Sequence, residues 1–244
     1  MPRLRPLEDA AVDFRDSHVM VTGGAGALGT AVVGALITAG AVCHVPCMTD
    51  AEAERFPHRH HPGVKLVVGV DLVDEAAVAD LYDAVPALWA SIHLAGGFAA
   101  APIGETRRAD LTRQLDLNLV TCFLCCRAAV TAMMQQSAGG RIVNVAARPA
   151  LEWRAGAGMT GYAASKAAVA ALTVALAEEV VGHGILVNAV APSIMDTPAN
   201  RQAMPQADHE AWPKVEQVAH TIAFLASPDN RVTRGGVVPV YGRA

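Results

Sequence analysis

Charge is scarce in this chain. Lys, Arg, Asp and Glu make up only 17% of its 244 residues, and the net charge is -4. No basic field is available to hold nucleic acid or an anionic membrane, so a small-molecule partner fits better. No Asp, Glu, Lys or Arg occurs from residue 19 to residue 49. A hydropathy scan would offer that stretch as a membrane span. Gly23, Gly24, Gly26, Gly29, Gly34, Gly40 and Pro46 break it into pieces, and a strand, a glycine turn, a helix and a second strand read better. An apolar leader is also missing: residues 1–14 mix both signs of charge, so a short N-terminal extension is expected instead of a secretory signal. A cytoplasmic location follows as an expectation.

Cysteine is sparse and odd in number, with Cys43, Cys47, Cys122, Cys125 and Cys126, which argues against a disulfide framework. Cys122-x-x-Cys125 has redox spacing but sits in an apolar, helical run with no second pair, so it reads as buried small hydrophobes. His58, His60 and His61 cluster between Pro57 and Pro62 without thiolate or carboxylate support. A solvated loop is expected there, and no metal site anywhere.

The apolar fraction is 52%, ample for a sheet covered on both faces. Strands are expected at 19–22, 41–46, 64–70, 91–94, 141–145, 185–190 and 236–240. Helices are expected at 30–39, 74–85, 108–134, 161–181 and 215–226. About seven strands alternating with helices predict an α/β, doubly wound, parallel Rossmann sheet with helices on both faces. No repeat or linker divides the chain, so residues 1–244 read as one domain.

Chemistry concentrates in a few places. Gly24, Gly26 and Gly29 satisfy G-x-G-x-x-G between the first strand and the first helix. Glycines let backbone N–H groups approach a pyrophosphate, and the helix N-terminus favours its charge. Asp71 closes the third strand, where it either accepts from an adenine amino group or caps the next helix. Tyr162 and Lys166 stand four residues apart, on one face of a helix. A neighbouring cation is expected to lower the phenol's pKa, making the pair a general acid–base.

In sequence order, the glycine turn, Asp71-Leu72, Ala95-Gly96, Asn118, Ile142-Val143-Asn144-Val145, Tyr162-x-x-x-Lys166, Asn188-x-Val190-x-Pro192 and Thr197 together resemble the short-chain dehydrogenase/reductase family. The resemblance runs from about Phe14 to Arg243. It implies an NAD(P)-dependent hydride transfer to a C=O or C=N group, with Tyr162 as the acid. Lys166 would hold the nicotinamide ribose, and Asn118 would kink its helix within a proton relay. The implied cofactor contacts are Gly23, Gly24, Gly26, Ala27, Leu28, Gly29, Asp71, Leu72, Ala95, Gly96, Gly97, Tyr162, Lys166, Pro192, Ser193, Ile194 and Thr197. Ala147, Trp153, Met159 and Met195 would face the substrate, and residues 193–214 would form a lid. Relatives pair through the helices that correspond to the Ala-rich and Cys-rich ones here, which implies a homo-oligomer, dimer or tetramer.

Departures from the family pattern carry information. Ala147 stands where most members have a catalytic Ser, and His93-Leu94 replaces the usual Asn-Asn. Gly158-Met159-x-Gly161-Tyr162 and the segment Asp196-Thr197-Pro198-x-Asn200-Arg201-x-x-Met204-Pro205-x-Ala207-Asp208-x-x-x-Trp212 resemble one branch, dihydropteridine reductase. That branch also lacks the serine and reduces an electron-poor quinonoid pterin. The competing reading is a dinucleotide-binding protein with little catalysis. Intact Tyr162, Lys166 and Asn118 speak against it. The second strand ends in Pro46-Cys47 with neither an acid nor an Arg. Asp50 lies close by and Arg55 further on, which leans slightly towards NAD over NADP.

Overall fold

Mostly apolar runs, rather than alternation, build the central strands, which are buried on both faces. The computed structural model describes residues 12–243, so most of the expected N-terminal extension lies outside the described residues. Its strands are β1 (His18–Thr22), β2 (Val42–Cys47), β3 (Val64–Val68), β4 (Leu88–His93), β5 (Gly140–Val145), β6 (Ile185–Pro192) and β7 (Val237–Val240). All pair in parallel, in the order β3-β2-β1-β4-β5-β6-β7. The order reverses direction between β1 and β4. The chain therefore leaves those two strands towards opposite faces, and a crevice opens beyond their carboxyl ends.

Two apolar layers sandwich the sheet. On one side α1 (Ala27–Thr38) and α9 (Val215–Ala226) bury Val32, Leu36 and Ile222. On the other, α3 (Glu75–Asp83), α5 (Thr121–Gln136) and α7 (Thr160–Val180) bury Val78, Met133 and Val169. Each such side chain contributes about 1.5–3 kcal/mol relative to exposure. Helix α3 starts one residue later than expected because Asp74 is its cap, accepting from the N–H groups of Ala76 and Ala77. A cap of this kind is worth about 1 kcal/mol.

The long helix expected at 108–134 is interrupted. It comprises α4 (Arg108–Leu115), a π-helical turn at Asp116–Val120 and α5. By length and composition Arg108–Gln136 would suffice to cross a membrane. Its Cys125, Ala129 and Met133 are instead buried in the layer shared with α3 and α7, as in a core helix. Three short helices had no apolar period to announce them: α2 (Asp50–Arg55), α6 (Arg148–Leu151) and α8 (Pro198–Ala203). The histidine loop is only partly solvated. His58 is half-buried beneath Gly34 of α1, with its ring edge-on to Phe56 at 5.5 Å.

Candidate active site

The turn after β1 brings backbone against backbone. Gly23 has φ +66, and a Cβ there would lie 2.6 Å from Ala95 N. A Cβ on Gly29 would run into Gly23 O and the Gly24 backbone. These two positions, more than the expected Gly26, demand glycine. Gly26 has φ -74 and meets only Gly23 O at 3.3 Å. It caps α1 without any side-chain hydrogen bond, and no acid sits in the first turn. The leading N–H groups of α1 are thus left for an anion. That cradle fits a dinucleotide pyrophosphate.

A crevice of about 450 Å³ continues from it, lined by Gly23, Gly26, Asp71, Leu72, Ala95 and Gly96 among others. Because Asp74 serves as the helix cap, Asp71 is left to the crevice; it accepts only the Val73 N–H at 3.1 Å. Gly24, Ala27, Leu28 and Gly29 shape the turn and are not crevice lining. Glu52, Met48 and Arg113 also line the crevice, and sequence reasoning missed all three. Asp50 and Arg55 are exposed and do not line it. A larger groove of about 1000 Å³ lies between α1 and α9 and touches only Ala27 of the candidate residues.

Helix α7 carries Tyr162 and Lys166. Lys166 is buried, and its ammonium donates to Val145 O at 2.8 Å, at the end of β5. Burial pulls the Lys166 pKa down to about 8, opposed in part by Cys122. Tyr162 is half-buried, with the Phe98 ring edge-on at 5.0 Å, and burial pushes its phenol up to about 12. The expected lowering by Lys166 is not what governs the phenol here, where burial acts in the opposite direction. The ammonium is directed at the Val145 carbonyl, and burial is what raises the phenol.

Asn118 lies in the π turn as a clamp. Its Oδ1 accepts from Gly97 N at 3.1 Å, while Nδ2 donates to Gly97 O at 3.0 Å and Ser165 Oγ at 3.1 Å. The amide is fully engaged by protein atoms, so its visible task is to fix the β4 loop against α7. Gly96 lines the crevice close to Asn118 and Lys166. A Cβ there would lie 2.6 Å from Asn118 Oδ1 and 3.4 Å from Lys166 Nζ.

The substrate side is more open. Ala147 is buried and extended, and presents a methyl group at the place of the missing serine. Met159 is half-buried at the start of α7. Trp153 is 78% exposed, its Nε1 donating to Ala150 O at 3.2 Å, so it forms an outer rim and not the expected pocket wall. Met195 packs against the core layer of α1 and α9. Pro192 ends β6, Ser193 Oγ donates to Tyr241 O, Ile194 is exposed, and Thr197 caps α8 by accepting from Asn200 N. The Thr197 hydroxyl is thus used locally.

Residues 17–208 match the family described as short chain dehydrogenase. The chain belongs to that family. It is similar to galactitol 2-dehydrogenase of Rhizobium johnstonii, at 34% identity over 91% of this chain and 93% of that one. L-xylulose reductase of Bos taurus is 29% identical, over 92% of this chain and 95% of its own. Among solved structures, ElxO with NADP bound superposes with a TM-score of 0.84 at 23% identity, covering 93% of this chain and 97% of that one, a likeness that speaks for the fold. This short-chain dehydrogenase/reductase is an NAD(P)-dependent oxidoreductase with a single seven-stranded Rossmann-like sheet.

Proposed function

We propose that this enzyme reduces a C=N or C=O group that is already electron-poor, a quinonoid pterin-like compound being the best fit. The carrying observation is the pairing of a half-buried Tyr162, whose phenol pKa is pushed upward by burial, with a bare methyl at Ala147. A carbonyl that needs polarising gains from a second hydrogen-bond donor as negative charge develops. Ala147 supplies none. An electron-poor acceptor asks only for a proton, and Tyr162 has one to give. The dihydropteridine-reductase-like segments around Met159 and from Asp196 to Trp212 support the same substrate class.

The nicotinamide cofactor supplies the hydride when bound. Tyr162 then donates its phenolic proton to the substrate nitrogen or oxygen. Lys166, held on Val145 O, takes the nicotinamide ribose. Gly23 and Gly29 let the backbone cradle the pyrophosphate, and Asp71 takes the adenine end. Residues 193–214 act as a lid over the substrate. The working form is a cytoplasmic homo-oligomer of a one-domain chain, built through α5 and α7.

NADH is the preferred cofactor by a modest margin. Glu52 supports this better than Asp50. Its carboxylate accepts the Met48 N–H at 2.8 Å, just past β2, and lines the crevice. A carboxylate there repels a 2′-phosphate. The test is a turnover panel of quinonoid dihydropterins and ketones with both cofactors. Fastest nicotinamide oxidation with a quinonoid acceptor and NADH supports the reading. Preference for an unactivated ketone contradicts it.

A further inference from the structure

Beneath the catalytic helix, the core holds a polar cluster that hydride transfer does not use. His93 ends β4 and is only 4% exposed. One of its ring nitrogens, Cys122 Sγ and Cys126 Sγ all lie within 4.8 Å of one another, and all three residues are buried. Cys122 and Cys126 are one turn apart on α5, so their thiols share a face. His93 Nδ1 is 3.5 Å from Cys126 Sγ, and both lie beside Asn144 Oδ1, at 2.8 Å and 3.5 Å respectively.

Each group is also held from behind. His93 Nε2 lies 2.7 Å from Ser91 Oγ and 3.2 Å from Tyr82 Oη. Asn144 Nδ2 donates to Thr173 Oγ1 at 3.0 Å, and that hydroxyl donates to Val169 O at 2.8 Å. The amide oxygen of Asn144 is thereby turned towards the thiols. Outer partners of this kind orient metal-bound imidazole. Tetrahedral zinc, with bonds of about 2.3 Å to sulfur and about 2.0 Å to nitrogen, sets those ligand atoms roughly 3.5 Å apart. The His93–Cys126 separation matches that spacing.

We propose that His93, Cys122 and Cys126, with Asn144 Oδ1 in the fourth position, bind one zinc-like divalent cation in the core. Two thiolates and a neutral imidazole balance the metal's charge, as an apolar interior requires. Loading releases two thiol protons to solvent. The imidazole proton shifts from Nδ1 to Nε2, where it donates to Ser91 Oγ. With the proton on Nδ1 the same atoms satisfy one another, and among the described residues no buried side-chain N or O lacks a partner. The site can therefore fill and empty without stranding a polar group. A bound ion would pin α5 to β4, one turn beyond Asn118. Because the ligands are buried, uptake accompanies folding or slow opening.

The test uses the reduced full chain, refolded with Co²⁺ as probe and then desalted. One equivalent of cobalt should remain, with near-ultraviolet thiolate-to-cobalt absorption and a raised melting temperature. Cys122→Ala and Cys126→Ala should each lose at least tenfold of the retained cobalt, while Cys43→Ala keeps it. X-ray absorption on the zinc-loaded wild type should find two sulfur neighbours, a readout that does not depend on a variant folding. No retained cobalt in the wild type, absorption that survives in either α5 variant, or no sulfur neighbour would overturn the proposal.

Discussion

On the cofactor side of the sheet, recognition is built from backbone. Gly23 and Ala95 approach so closely that no Cβ fits, Gly29 closes on Gly23, and α1 begins with uncapped N–H groups. On the substrate side, recognition is left to side chains on short elements. Trp153, Phe98 and Ile194 stand 78%, 64% and 44% exposed, while Tyr162 is half-buried and Ala147 buried. A backbone cradle tolerates little substitution and serves every member that uses the same dinucleotide. Exposed side chains just after α6, before α8 and in the β4 loop can change without unfolding the sheet, which is how one fold accommodates different substrates.

The sharpest way to break this contrast is at the glycine turn. Gly29→Val should weaken dinucleotide binding more than about 100-fold, roughly 2.7 kcal/mol, whereas Gly26→Ala should stay within about tenfold. Calorimetric titration of both variants checks it, and equal losses would mean that the turn is not read through its tightest contacts.

Lys166 should leave its mark on stability through pH. Its folded pKa is lowered to about 8 from 10.5, so between these values the unfolded chain binds more protons. Stability contributed at this site therefore rises with pH across that window. Lys166→Met should be more stable than wild type at pH 7, by on the order of 2 kcal/mol. That advantage should shrink as pH climbs from 8 towards 10.5. Urea unfolding at several pH values measures it, and a constant difference would place the ammonium in solvent.

On the substrate side, Ala147→Ser should raise ketone turnover by about tenfold over any effect on a quinonoid acceptor. Steady-state rates on both classes decide it, since equal changes would remove Ala147 from the reacting centre. The smallest effect is expected at Glu52→Gln, which should shift cofactor choice towards NADPH by about fivefold, the value of one partly screened charge. An unchanged NADH to NADPH ratio would take Glu52 out of cofactor selection.

The same division explains what the sequence disclosed. β6 is legible because every residue from Ile185 to Pro192 is buried, and a run that is apolar but for Asn188 records that. The glycine turn and Tyr162–Lys166 are local patterns whose spacing carries their geometry. Three things were not legible. Glu52 reaches the crevice only because α2, a helix too short to show a period, folds back over β2. The upward push on the Tyr162 phenol comes from burial, and Lys166 Nζ points at Val145 O; i, i+4 spacing reports neither. His93 joins Cys122 and Cys126 only through the packing of α5 on β4, so no ligand spacing along the chain could reveal the cluster.

The central claim is that the half-buried Tyr162 phenol supplies the proton while the backbone cradle holds the cofactor independently of it. Binding and turnover measured together on Tyr162→Phe test this most directly. Turnover should fall about 10²–10⁴-fold, while calorimetric affinity for the nicotinamide cofactor stays within about threefold of wild type. Near-normal turnover, or a loss of cofactor binding parallel to the loss of rate, would contradict the account.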